Sequence, residues 1–552
     1  MAGINDVVNI ARTGLFAFQQ AITTTAHNIT NQSTEGYSRQ EVNFVTNRPQ
    51  EGILPTGVAI PTIHRTVDQF IETQLTNTTE DLGRLQTRFE QLQQVEGVFT
   101  ETDTIGLSRD LDDLFNAFRD LSAFPEDGAI RTIVLNEARA LADSLNQMSD
   151  RLMAQRANID NVINGNVITI NSFAAQLADL NTRIQVSEVG GDIANDLRDQ
   201  RRLILNDLAE IINIDFVEMP DGLTINVGGQ LLVSGDHANT LVQELDADND
   251  GVHDIALQRE DGSTTVITPK ITGGKVQGLL EVRDIEIMEA LDRLDRLAAV
   301  VINEINQQHE AGYGLDGTTS NSLFGALTPN APAPHDVNTG GAVGTSTAIL
   351  TATLLTMDTY EIRFTNATTF NVINITDGAT VLSAQSYTSG ANIDFDGLRA
   401  VITNGSGAPA ASDVFTVSAH KGAAEGISVS LTNTDKLAAS STALGVPGNN
   451  VNVLALINIQ TTTQSELGTL TLGDYHAATI GSVGSDTAEV ISRLEAKQAE
   501  YDQLRGIRES ISGVNLDEEL ANLLAFQRGY EASARLFSTA DELFQTLLSM
   551  GR

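Results

Sequence analysis

The sequence predicts a multidomain α+β protein. Its discontinuous terminal helices should form a coiled coil, around a helical domain with β-hairpins and an inserted all-β domain. Three observations carry this expectation. Apolar residues recur every three or four positions at both ends of the chain. The period falls to two, with Thr, Val and Ile enriched, in residues 214–272 and 346–433. A length of 552 residues, at about 150 residues per domain, calls for three or four domains.

The first helix should cover residues 4–31, because Ile4, Val8, Ala11, Leu15, Phe18, Ile22, Thr25 and Ile29 alternate four- and three-residue steps as a heptad seam. Residues 32–65 are turn-rich, with Gly36, Pro49, Gly52, Pro55, Gly57 and Pro61. From about 66 to 212 the pattern is that of several long helices with few prolines. The alternation in Leu223–Val233 typifies the hairpins of 214–272, and a long helix returns at about 277–309. Residues 317–345, rich in Gly, Pro, Ala and Asn, are expected to be a linker. The β domain follows at 346–433, then a mixed, loop-rich stretch at 436–484, then helices at about 485–511 and 515–549. In the last of these, Leu516, Leu520, Leu523, Phe526, Tyr530, Ala534, Phe537, Ala540, Phe544 and Leu547 form a second apolar stripe, and Asn515 with Glu518 suggests a capping box. The expected domains are 1–50 plus 515–552 for assembly, 51–330 plus 436–514 for the helix-rich body, and the insertion at 346–433. The two stripes could close on each other within one chain or pack against further copies in a polymer.

Charge and composition exclude several functions. Lys plus Arg is 33 and Asp plus Glu is 72, a net charge of −39. Such a surface repels nucleic acid and anionic lipid. The absence of cysteine removes disulfides, thiolate metal sites and cysteine nucleophiles. The first ten residues lack a basic region and an apolar run, so no cleaved Sec signal is expected, and no membrane insertion either. Either an acidic cytoplasmic protein or export without a cleaved signal fits.

Site chemistry is sparse. Asp246, Asp248, Asp250, the Val252 carbonyl and Asp254 alternate around Gly251, a spacing that suits a calcium ion or a solvated acidic hairpin turn. Leu257 occupies the position where an EF-hand needs a bidentate glutamate, which excludes that motif. The eight histidines are scattered. Gly273-Gly274-Lys275 lacks the rest of a phosphate loop, and no nucleophile elbow occurs. No enzyme is expected and no cofactor is required, calcium being the one candidate.

The end of the first helix carries a specific signature. Asn28-Ile29-Thr30-Asn31, a polar turn, then Gly36-Tyr37-Ser38-Arg39-Gln40 resembles the N-terminal motif of axial proteins of the bacterial flagellum, with Thr30 where alanine is usual. Taken alone, Asn28 and Asn31 would be plain C-terminal caps. Ser38-Arg39-Gln40 is the version found in the hook-associated protein 1 family. Thr272–Asp284, Leu291–Ala298, Asn303–Gly312, Gly314-Leu315-Asp316-Gly317, Leu323-Phe324-Gly325 and Val514–Arg535 are similar to the middle and end of that family, in the right order. The resemblance implies a structural subunit at the hook–filament junction of the flagellum, exported unfolded by the flagellar type III route. Its implied partners are copies of itself, the hook protein, the next hook-associated protein or filament-side subunit, and an export chaperone on the C-terminal helix. The alternatives are another axial subunit, or a calcium-dependent surface adhesin acting through the β domain.

Overall fold

The computed structural model describes residues 2–47, 57–101 and 106–550. Pro49, Gly52 and Pro55 of the turn-rich segment therefore lie outside the described residues. Helix α1 (Ala2–Thr30) is followed by four short strands: β1 (Gln40–Val42), β2 (Val45–Thr46), β3 (Val58–Ala59) and β4 (Ile63–Arg65). They pair antiparallel, β1 with β4 and β2 with β3.

The body begins with α2 (Gln69–Phe99), α3 (Leu107–Ala123), α4 (Gly128–Glu188) and α5 (Asn195–Ile211). Asp68 and Asp127 start α2 and α4 by accepting backbone N–H bonds from the first turn. Helix α4 has 61 residues and is about 90 Å long at 1.5 Å per residue. Its buried stripe, including Leu141, Leu145, Leu152, Ile159, Ile163, Ile170 and Leu177, is the spine of the core. Strands β5 (Asp215–Met219), β6 (Gly222–Val227), β7 (Gln230–Ser234) and β8 (His237–Ala238) form one antiparallel sheet. Strands β9 (Thr240–Leu245), β10 (His253–Gln258) and β11 (Thr264–Val266) form another, and both sheets lean on α4. Leu223, Ile225 and Val227 of β6 point inward, as the two-residue period requires. Helix α6 (Gly274–Glu281) passes through a π turn at Val282–Glu286 into α7 (Ile287–Glu310).

The outer β unit holds β12 (Ala333–Pro334), β13 (Val343–Ile349), β14 (Thr359–Asn366), β15 (Thr369–Asn374), β16 (Thr380–Ser386), β17 (Asn392–Phe395), β18 (Leu398–Thr403) and β19 (Val414–Ser418). One sheet has the order β12-β19-β14-β15-β16 and the other β13-β18-β17. Phe364, Phe370, Phe415 and Tyr387 cluster in its core, and Tyr360 meets Phe395 across the two sheets at 5.0 Å.

Three boundaries differ from expectation. The segment expected to be a linker is built into the fold: Asn306 Oδ1 accepts the N–H groups of Leu323 and Phe324, whose side chains are fully buried, and β12 pairs with β19. A side chain here supplies the hydrogen bonds that a strand would otherwise make. Residues 423–433, placed by sequence in the β domain, instead pack on the body. Helix α8 (Ala423–Gly426) meets α4 and α7, and Asn146 donates to the carbonyls of Ala424 and Glu425. After α9 (Val451–Ile459), helix α10 (Leu472–Ser512) starts well before residue 485. Thr471 caps it by accepting the N–H of Asp474, and packing on α2 outweighs the helix-weakening Gly473, Gly481 and Gly484. Helix α11 (Leu516–Met550) closes the chain.

Candidate functional site

Helices α1 and α11 lie antiparallel, with Gly14 against Ser533, Phe18 against Gly529 and Asn28 against Glu519. A β-carbon on Gly529 would stand 2.5 Å from the Phe18 ring, so the helices approach through small residues. Ala11, Gly14, Ala17, Ala21, Thr24, Thr25 and Asn28 form the buried stripe of α1. This corrects the predicted seam, because Val8, Leu15, Phe18, Ile22 and Ile29 are only half-buried. In a two-helix contact close enough to exclude large side chains, those residues splay to the flank. The side chain of Ile4 lies outside the described residues, as does that of Leu547. On α11, Leu523 and Phe526 are half-buried, whereas Leu516, Leu520, Tyr530, Phe537 and Phe544 are exposed. Phe44 bridges the helices, its ring centroid 5.5 Å from Phe18 and 5.8 Å from Phe526.

Where the pair meets the body, the contacts become polar. Asn31 caps α1, its side-chain amide donating to the His27 carbonyl at 3.0 Å, and Gly36 takes φ +77° to turn the chain outward. Asn28 is not a cap. Its Oδ1 accepts from Gln40 N at 3.0 Å and from the Tyr37 hydroxyl at 2.8 Å, and its Nδ2 donates to Gln40 O at 2.9 Å and Glu519 Oε2 at 3.1 Å. His27 Nδ1 lies 3.1 Å from the same hydroxyl. Ser38 donates through its N–H and hydroxyl to Asp199, which also binds Arg65 at 2.7 Å. Arg39 N–H donates to Ser512 O at 2.8 Å, tying the residue before β1 to the end of α10, and its guanidinium reaches Glu518 at 3.1 Å. Asn515 Oδ1 accepts the N–H groups of Asp517 and Glu518, so half of the predicted capping box forms, while the Glu518 side chain goes to Arg39. Burial raises the Tyr37 hydroxyl above its ordinary range, helped by Asp196, Asp199 and Glu519. Burial also raises Asp199, against the opposing pull of Arg65. Asp199, Arg65 and Glu519 were invisible to sequence reasoning, because each resembles the chain's many solvated charges.

The acidic loop is not arranged around one centre. Asp246 Oδ1 accepts the Asp248 N–H, and Asp248 accepts the Asp336 N–H. Asp250 faces Lys421 at 3.3 Å and Arg156 at 3.8 Å, the Val252 carbonyl accepts the Asp246 N–H at 2.8 Å, and burial raises Asp254 beside Thr268. Among the described residues no group of three or more His, Asp or Glu stands where it could hold a metal ion. Asp246, Asp248 and Val252 of the predicted calcium loop bond to one another, while the Asp250 carboxylate faces the cations of Arg156 and Lys421. Beneath the loop, the buried Arg283 of the π turn binds Asp160, Asp284 and the His253 carbonyl. One Ser–His–Asp chain also appears: Ser418 Oγ is 3.0 Å from His420 Nδ1, and His420 Nε2 is 2.7 Å from Asp292. Ser418 Oγ already accepts the N–H groups of His420 and Lys421, and the imidazole is buried. The arrangement pins the end of β19 to α7. Among the described residues no helix is long and apolar enough to cross a membrane.

The family model described as "Flagellar hook-associated protein FlgK helical domain" matches residues 92–324, and that described as "Flagellar basal body rod FlgEFG protein C-terminal" matches residues 509–550. The chain is similar to flagellar hook-associated protein 1 of Escherichia coli K12, 28% identical over 99% of this chain and 100% of the relative. It is 26% identical to the Bacillus subtilis 168 protein of that name, over 98% of this chain and 97% of the relative. The solved structure of the flagellar hook junction protein FlgK from Burkholderia pseudomallei shares the fold, with a TM-score of 0.69 and 19% identity, covering 80% of this chain and 100% of that one.

Proposed function

The chain belongs to the flagellar hook-associated protein 1 family, and from that premise we propose that it is a self-assembling structural subunit seated outside the cell between hook and filament. The observation that carries the reading is the uncovered apolar surface of the terminal pair. Phe16 is 66% exposed, Leu524 55% and Leu543 54%, and they sit with Leu516, Leu520, Tyr530, Phe537 and Phe544 on a unit that one partner helix cannot cover. An apolar strip of this length is an interaction surface. Packed head to tail without closure against copies of itself, it generates a tube rather than a compact oligomer.

Hook protein on one side, and the next hook-associated protein or a filament-side subunit on the other, are the neighbours this reading requires. An export chaperone covering α11 would keep the strip from aggregating before assembly. The body and β unit would then face outward, where an excess of carboxylates keeps separate assemblies apart. A structural role suits the Ser418–His420–Asp292 chain, whose hydroxyl is occupied by backbone N–H groups.

The test is electron microscopy of cells lacking this chain, with flagellin measured in the medium. Bare hooks and shed flagellin are expected, and normal filaments would overturn the proposal. Leu523→Asp or Phe537→Asp should give the same phenotype with the body still folded.

A further inference from the structure

The apolar surfaces of α1 and α11 do not by themselves select one alignment. Small residues recur every four positions on α11, at Ala525, Gly529 and Ser533. Phe18 lies over Gly529, and a one-turn slide either way would set it over Ala525 or Ser533, which are also small. The anchors to the body permit such a slide. Residues 31–37 are folded back by bonds from Thr34 N to Asn31 O and from Tyr37 N to Thr34 O. Drawn out at about 3.3 Å per residue they would reach far beyond the ~5.4 Å of one helical turn.

The buried polar contacts of Asn28 discriminate. Asn28 is 1% exposed and Glu519 3%, and in the observed alignment the Asn28 amide serves both Glu519 and the Gln40 backbone. A one-turn slide in one direction sets Glu519 opposite Thr24, whose hydroxyl hydrogen is committed to Gln20 O. A slide in the other direction sets Glu519 opposite Gln32, beyond the helix, and Asn28 opposite Leu523. The first slide leaves a buried carboxylate without its donor, and the second draws the Asn28 amide from Glu519 and the Gln40 backbone and sets it against Leu523, costs that apolar contacts do not return. Single buried polar positions set register in coiled coils in this way.

We propose that Asn28 is a positioning residue that sets the register of α1 on α11 through Glu519. The inference deepens the assembly reading, because only one register presents a constant apolar strip to neighbouring copies.

The absence of cysteine makes engineered disulfides a direct readout. A β-carbon on Gly14 would lie 3.5 Å from Ser533 Cβ, within disulfide range, so G14C/S533C reports the observed register. I10C/S533C and G14C/F537C report the two one-turn slides. With Asn28 present, the full chain should oxidise in the first pair and not in the others. Asn28→Leu should raise the ratio of slipped to native cross-link at least about tenfold, while Glu519→Gln, whose amide oxygen still accepts, should leave it unchanged. Glu519→Leu keeps the bonds of Asn28 to Gln40 and Tyr37 and should also raise the ratio, so it decides the matter if Asn28→Leu fails to fold. An unchanged ratio in Glu519→Leu, or in a helical Asn28→Leu chain, overturns the proposal. So does failure of the native pair to form in the parent. A fixed register in a chain whose loss leaves filaments normal would instead sink the junction reading and leave this one standing.

Discussion

His309, buried on α7, stands where the chain leaves for the β unit and returns from it. Its Nδ1–H donates to the Asn321 carbonyl before the insertion, and its Nε2 accepts the Ala438 N–H, at 2.9 Å, after it. Both bonds need the neutral ring, since a second ring proton would displace the Ala438 N–H. Burial pushes this imidazole from 6.5 down to about 4, with Arg131 adding to the effect and the Asn321 bond opposing it. Above pH 6.5 neither the folded nor the unfolded chain protonates this group. Between 6.5 and about 4 the unfolded chain takes up the proton and the folded chain does not, so stability falls as pH falls through that window. The full drop corresponds to about 3 kcal/mol, at about 1.36 kcal/mol per pH unit. Urea unfolding of the parent and of His309→Gln at pH 7 and pH 4.5 checks this. Carboxylates titrate in both chains, so the difference isolates the imidazole, and the parent should lose about 2–3 kcal/mol more than the variant. Equal losses, or an imidazole titrating near pH 6 in the folded chain by NMR, would refute the reasoning.

Glu80 on α2 accepts the Ile214 N–H at 2.9 Å, and burial with Asp215 and Asp81 raises it to about 8. The unfolded chain loses this proton first, so stability declines as pH rises from 4.5 to 8; Glu80→Gln should be more stable than the parent at pH 8.5 and equal to it at pH 4.5 in chemical unfolding. Gly529→Val forces a β-carbon against the Phe18 ring and should loosen the terminal pair by about 1–3 kcal/mol, seen as faster proteolysis of α11; unchanged protection would show that the approach is not tight. Titration of the chelator-treated chain with millimolar Ca²⁺ should release no heat, because Arg156 and Lys421 already face Asp250; heat that disappears in Asp250→Asn would reverse this assignment.

Much of the architecture was legible because it is local. A 3.6-residue apolar period marks α1 and α11, a two-residue period marks β6 and the outer strands, and Gly36 with Asn31 marks the turn after α1. Errors arose where a tertiary contact overrode a local tendency. The glycines near 473–484 hid the first turns of α10, although Thr471 with Asp474 was a readable cap. The gly- and pro-rich stretch after α7 looked like a linker because nothing local reveals that Asn306 will hold Leu323 and Phe324. On α1 the period was right and the buried face lay one position away, since the contact distance is set by Gly14, Gly529 and Ser533 on two separate helices.

By itself the sequence determined the long terminal helices, the alternating strands, the turn at Gly36 and the apolar period of the chain ends. These follow from backbone sterics and side-chain periodicity within a dozen residues. Only the tertiary structure decided what Asn28, Asp250 and His420 do. Their partners Glu519, Arg156 and Asp292 lie far away in sequence, and each partner belongs to a type so abundant in this acidic chain, or so generic, that no spacing singles it out. The same amide is a helix cap when water surrounds it and a register contact when folding removes the water and leaves one carboxylate within reach.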